Sequence, residues 1–103
     1  MIEKLIEIKN RFEEGGQLLV QPETVKDRKK FSQLSKEYKD LEKVVKKYDQ
    51  YQSVLDGIQH AKEVLQKEKD AELRELAKME IDDLEPQQET LENEIKELNS
   101  LVD

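Results

Sequence analysis

The chain has 103 residues, 42% of them charged and 5% aromatic, with three glycines, two prolines, no cysteine and a formal net charge of −7. That length suits one domain with a modest core, and that composition argues against a sheet or barrel and for long, water-facing helices. It excludes a disulfide framework, a thiolate metal site, an apolar run long enough to span a membrane and a secretory leader, which leaves an intracellular, cytoplasmic chain as the expectation.

The negative charge disfavours nucleic-acid binding by the chain as a whole. It is unevenly spread, however. Residues 26–47 carry nine Lys/Arg against four Asp/Glu, a local +5, whereas residues 71–103 carry three against eleven, a local −8.

The first segment predicts a helix over 2–19. Met1, Leu5, Ile8, Phe12 and Leu19 follow a three-four spacing with Gly15 in the vacant slot, and Ile2, Ile6 and Leu18 widen the stripe. The Gly15–Gly16 pair costs about 1 kcal/mol per glycine relative to alanine, which predicts a bend or a frayed last turn. Pro22 ends this helix and disfavours helical backbone at Gln21, so 21–26 reads as a turn. Asp27 is the candidate N-cap of the next helix, with Thr24 as the alternative. A link this short sets the first two helices antiparallel.

The second helix carries the organising pattern. Phe31, Leu34, Tyr38, Leu41, Val45 and Tyr48 alternate three- and four-residue steps and share one narrow stripe, which needs partner helices to make a core. Tyr51, Leu55, Ile58, Ala61 and Leu65 continue it. The two successive three-residue steps from Val45 to Tyr51 shift its phase and turn the buried face toward a different neighbour. One helix over 27–67 is predicted, with a bend or break between 48 and 57, near Gly57.

The pattern lapses over 68–71, where Asp70 can cap a third helix. Ala77, Ile81, Leu84, Leu91, Ile95, Leu98 and Val102 then hold a three-four spacing, with Gln88 in the remaining slot. Pro86 removes one helical hydrogen bond. Because the spacing crosses it in phase, a kink is expected rather than the start of a fourth helix. The predicted fold is all-α: an antiparallel helical bundle or elongated hairpin of three long helices, forming a single domain over 1–103.

The residues offer no catalytic chemistry. His60 is the sole histidine, Asp82–Asp83 lie on a solvated helix with no apolar pocket to raise a pKa, and Ser32, Ser35, Ser53 and Ser100 lack a partner base. No catalytic, cofactor or metal site, and no small-molecule substrate, is expected. What remains is a basic face of Lys29, Lys30, Lys36, Lys39, Lys43, Lys46 and Lys47. These lysines either pair with acidic residues of the third helix (Glu80, Asp83, Glu92, Glu94) and set helix orientation, or contact RNA or an acidic protein surface. Tyr38, Tyr48 and Tyr51 have the chemistry to stack on bases, but their spacing puts them mainly on the core stripe.

The block Phe31-Ser32-Gln33-Leu34-Ser35-Lys36-Glu37-Tyr38, continuing through Leu41-Glu42, Val44-Val45 and Tyr48-Asp49-Gln50-Tyr51, resembles the N-terminal domain of the release factor 1 family of bacterial peptide chain release factors. The turn at Gln21-Pro22-Glu23-Thr24-Val25 and the entry to the third helix, with Ala77 and Met79, extend the resemblance over nearly the whole chain. It implies a helical, non-catalytic appendage that docks near the ribosomal stalk base, in the region where the translational GTPase that recycles the factor acts. The family's UAA/UAG-reading and peptidyl-tRNA hydrolysis domains are expected beyond Asp103, with Met1 as a native start. Gly15-Gly16-Gln17 matches the family's hydrolytic tripeptide, but it sits in an acidic, amphipathic helix of the wrong domain and inherits no role. The rival reading is a stand-alone coiled-coil scaffold or adaptor that homodimerises through the same stripes. Three segments this closely connected can satisfy one another, so a monomer is expected.

Overall fold

A computed structural model describes residues 2–102, with side chains from Glu3 onward, and the stripe positions assigned to Met1 and to the Ile2 side chain lie outside them. Four helices follow in order: α1 Ile2–Leu19, α2 Pro22–Lys26, α3 Arg28–Lys67 and α4 Ala71–Val102. At about 1.5 Å per residue the 40 residues of α3 extend about 60 Å, nearly the full 63 Å length of a molecule 23 × 20 Å across. Both α1 and α4 run antiparallel to α3: Arg11 meets Glu37 while Lys9 meets Asp49, and Lys47 meets Glu94 while Gly57 meets Leu84.

Since α1 reaches only partway along α3, the molecule has two unlike halves. In the three-helix half Ile8, Leu41, Val44, Tyr48, Ile95 and Val102 form the main core, flanked by Leu5, Phe12, Val45, Tyr51 and Leu98. In the two-helix half Val54, Ile58 and Leu91 pack with Tyr51 and Leu84. The phase shift between Val45 and Tyr51 marks this change of neighbours, and α3 remains one continuous helix through it and through Gly57. Facing two helices, the first half of α3 buries a wider arc than a three-four stripe provides, so Val44, absent from the predicted stripe, is fully buried. Phe31, which the stripe placed inside, is 40% exposed because it lies at the very start of α3, and Val54 replaces Leu55 as the buried residue.

The predicted caps hold. The Asp27 carboxylate accepts from the Lys30 amide at 3.1 Å, and Asp70 Oδ1 accepts from the Glu72 and Leu73 amides at 2.9 and 3.1 Å. The turn expected over 21–26 is instead the short helix α2. Pro22 occupies its first position, where a missing N–H costs nothing, and the Thr24 and Val25 amides both donate to the Gln21 carbonyl at 3.0 Å. Thr24, the alternative cap, is buried, in a helix that packs against both α1 and α3. The helix α4 runs unbroken through Pro86. Pro86 and Asp82 are both exposed, so the carbonyl freed four residues back faces the watered side.

Two arginines cover the C-terminal ends of α3 and α4. The Arg74 guanidinium donates to the carbonyls of Leu65 and Glu68, covering the orphan acceptors at the end of α3. Arg11 donates to the Val102 carbonyl and to Glu37, each at 2.9 Å, and so ties α1, α3 and α4 together.

Candidate functional site

Gly15-Gly16-Gln17 lies within the helical body of α1, with neither glycine at positive φ. The expected bend or fraying is not seen, because the Tyr38 ring lies against this backbone. A Cβ built on Gly15 would stand 3.6 Å from Tyr38 Cδ2, and one on Gly16 would stand 3.3 Å from Tyr38 Cε2. The same ring stacks on Phe12, with centroids 4.4 Å apart and 12° between planes. These glycines make room for an aromatic contact. At Gly15 that room is ample for a methyl group, so Gly15→Ala is expected to stabilise the fold by about 1 kcal/mol through helix propensity, read as a higher midpoint in urea unfolding.

The other candidates for chemistry stay apart. His60, Asp82, Asp83 and three of the four serines are exposed, and Ser35 is half-buried. Among the described residues no group of three or more His, Asp or Glu is placed to hold a metal ion, and no helix is long and apolar enough to cross a membrane. An open cleft of about 540 Å³ lies between α3 and α4, lined by Lys47, Ser53, Val54, Pro86, Thr90 and Leu91.

The tyrosines are committed inward. Tyr48 is 3% exposed and accepts from Asn99 Nδ2 at 3.3 Å; Tyr38 is stacked; Tyr51 donates to Glu92 Oε2 at 2.7 Å. Its hydrogen bond to Glu92, then burial, then the Glu92 charge raise the Tyr51 pKa above the ordinary 10.0. A phenol with a raised folded pKa contributes its full stability below the unfolded value and loses it as pH climbs through the folded one. The intact chain should therefore lose stability above about pH 10, and Tyr51→Phe should lose less, as read from melting temperatures between pH 8 and 11.

Charge remains as the distinguishing surface feature. Of the seven lysines predicted to form a basic face, Lys29, Lys30, Lys36, Lys39, Lys43 and Lys46 are exposed and Lys47 is half-buried. Among the described residues pairing with α4 holds for Lys47 alone, which meets Glu94 at 2.6 Å; Lys46 pairs within α3 with Glu42 at 3.5 Å, and Glu92 is taken by Tyr51. Laid out at about 100° per residue, Lys29, Lys36, Lys39, Lys43, Lys46 and Lys47 fall in an arc of about 120° that also holds Arg28, Ser32, Ser35 and Gln50 and no acidic residue. Asp40 bounds the arc on one side and Glu42 on the other. Lys30 lies about 100° beyond its edge and does not belong to the face. Arg28 does, and projecting the helix onto a wheel, rather than counting lysines, would have found it. Among the described residues Arg28, Lys29, Lys36, Lys39 and Lys43 make no ion pair.

The sequence matches a family model described as the PCRF domain over residues 8–101. The chain belongs to the PCRF domain family. It is 44% identical over 98 residues to the peptide chain release factor 1 of Cytophaga hutchinsonii, covering 95% of this chain and 27% of that protein. It is 43% identical over 96 residues to the peptide chain release factor 1 of Clostridioides difficile and 42% identical over 96 residues to that of Enterococcus faecalis, in each case 93% of this chain and 27% of the relative. This PCRF domain thus spans about a quarter of the length of the curated relatives it matches, and the resemblance carried by residues 31–51 extends along the chain. No solved structure matches it.

Proposed function

We propose that this PCRF domain is a non-catalytic, ribosome-docking domain of a peptide chain release factor, acting in translation termination in the cytoplasm. The observation that supports this most is the identity of over 40% across more than nine-tenths of the chain to proteins bearing that name. In this reading the basic face Lys29, Lys36, Lys39, Lys43, Lys46 and Lys47, joined by Arg28, touches the ribosome near the stalk base. Stop-codon reading and peptidyl-tRNA hydrolysis belong to other domains of such a factor, and the translational GTPase that recycles it acts nearby. The non-catalytic assignment draws support from Gly15-Gly16-Gln17, whose backbone is held in helical hydrogen bonds under Tyr38 rather than presented on a loop.

The scaffold alternative draws little support, since Ile8, Leu41 and Ile95 are each at most 1% exposed within one copy of the chain. The docking reading expects a monomer, whose melting temperature should not depend on concentration. The domain should pellet with ribosomes in sedimentation and give no stop-codon-dependent peptide release on its own. Failure to pellet would remove the docking role; appreciable release would remove the non-catalytic one.

A further inference from the structure

We propose that the basic arc of α3 binds the phosphate backbone of double-helical RNA, without reading sequence; this rests on the ribosome-docking reading and names the chemistry of the partner at that face. The arc runs from Arg28 to Lys47, about 28 Å along the helix, and Arg28, Lys29, Lys36, Lys39 and Lys43 are exposed and make no ion pair among the described residues.

The residue types choose among partners. A protein interface needs apolar or aromatic anchors at its centre and is depleted in lysine. This arc carries none, only lysines, one arginine, serines and a glutamine. Single-stranded RNA needs exposed aromatic platforms, yet Tyr38, Tyr48 and Tyr51 are stacked, buried or bonded inside the bundle. Base readout in a groove favours the planar fork of arginine, whereas lysine is a point charge that suits phosphate. Duplex RNA, recognised mainly through shape and backbone, fits what is left.

The test is fluorescence anisotropy of a labelled 20-base-pair RNA duplex titrated with the full chain. Engagement of three to four phosphates gives a Kd on the order of 10 μM at 50 mM salt and a log–log salt slope of about −3, or about 60-fold weaker binding at 200 mM. The triple variant Lys36→Gln/Lys39→Gln/Lys43→Gln should weaken binding by about tenfold or more and flatten the slope by about one per lysine. Lys62→Gln/Lys67→Gln/Lys78→Gln removes the same charge from the two-helix half, where all three are exposed, and should change the affinity less than about threefold. Circular dichroism checks that both variants keep their helices. Equal losses in the two variants, a flat salt response, or binding to polyglutamate but not to the duplex would overturn the proposal. Ribosome pelleting run alongside separates the two readings. A chain that pellets but ignores the duplex loses the RNA contact alone, one that binds the duplex without pelleting keeps it and loses the docking role, and one that does neither loses both.

Discussion

Ile95→Ala is expected to be the most damaging single truncation in this chain. Ile95 is 0% exposed in α4, and the cluster it belongs to draws on all three long helices through Ile8, Leu41, Val44 and Tyr48. Removing three carbons there forfeits their transfer free energy and leaves a cavity that three helices cannot close together, a loss of about 2–5 kcal/mol. For a domain this small that is a large part of a total of about 5–15 kcal/mol, and the melting temperature should fall by about 10 °C or more. Leu101→Ala, on the same helix but 70% exposed, is the control and should stay within about 0.5 kcal/mol of the parent. Similar losses for the two would mean that α1 does not seat on α3 and α4 as described.

The second large effect is at Gly57, where Leu84 of α4 packs close over the backbone of α3. A Cβ there would come within 2.8 Å of Leu84 Cδ1. That methyl is the far end of a half-buried side chain and can swing aside, so for Gly57→Ala the strain and the helix-propensity gain of about 1 kcal/mol nearly cancel. Gly57→Val adds two more methyl groups at the same contact, and overpacking should destabilise it by about 1–3 kcal/mol relative to the alanine variant. Urea unfolding of the two side by side reads the difference. A valine variant as stable as alanine would show that the helices are free to part at this point.

The sequence made much of this legible, for identifiable reasons. Asp27 and Asp70 were readable as caps because an N-cap is a local device, set by one side chain and the amides two and three residues on. The three-four spacing of Ile8, Leu41, Leu91 and Ile95 was readable because a helix face is fixed by period alone. Val44 and Phe31 were misassigned for the opposite reason: whether a residue is buried depends on how many neighbours a helix has at that height and where they stop. Gly15 and Gly16 looked like a weakness in α1, since the ring that uses their bare backbone sits more than 20 residues away on α3. On the candidate site, the lysine count found six of the seven cations of the arc but added Lys30 and missed Arg28, because abundance along a segment is not the same as direction around a helix. Pairing of these lysines with acidic residues of α4 was one of two open readings, and which lysine would take it, Lys47 with Glu94, needed the position of α4 around α3.

The unbroken course of α3 also has a mechanical meaning. One stiff strut joins the loop end at 68–70 to the three-helix end, and no interruption among the described residues offers a hinge between them. A body that grips the loop end therefore steers the far end as well, by leverage and without any change of conformation. The molecule can act as a handle, passing on orientation over its whole length.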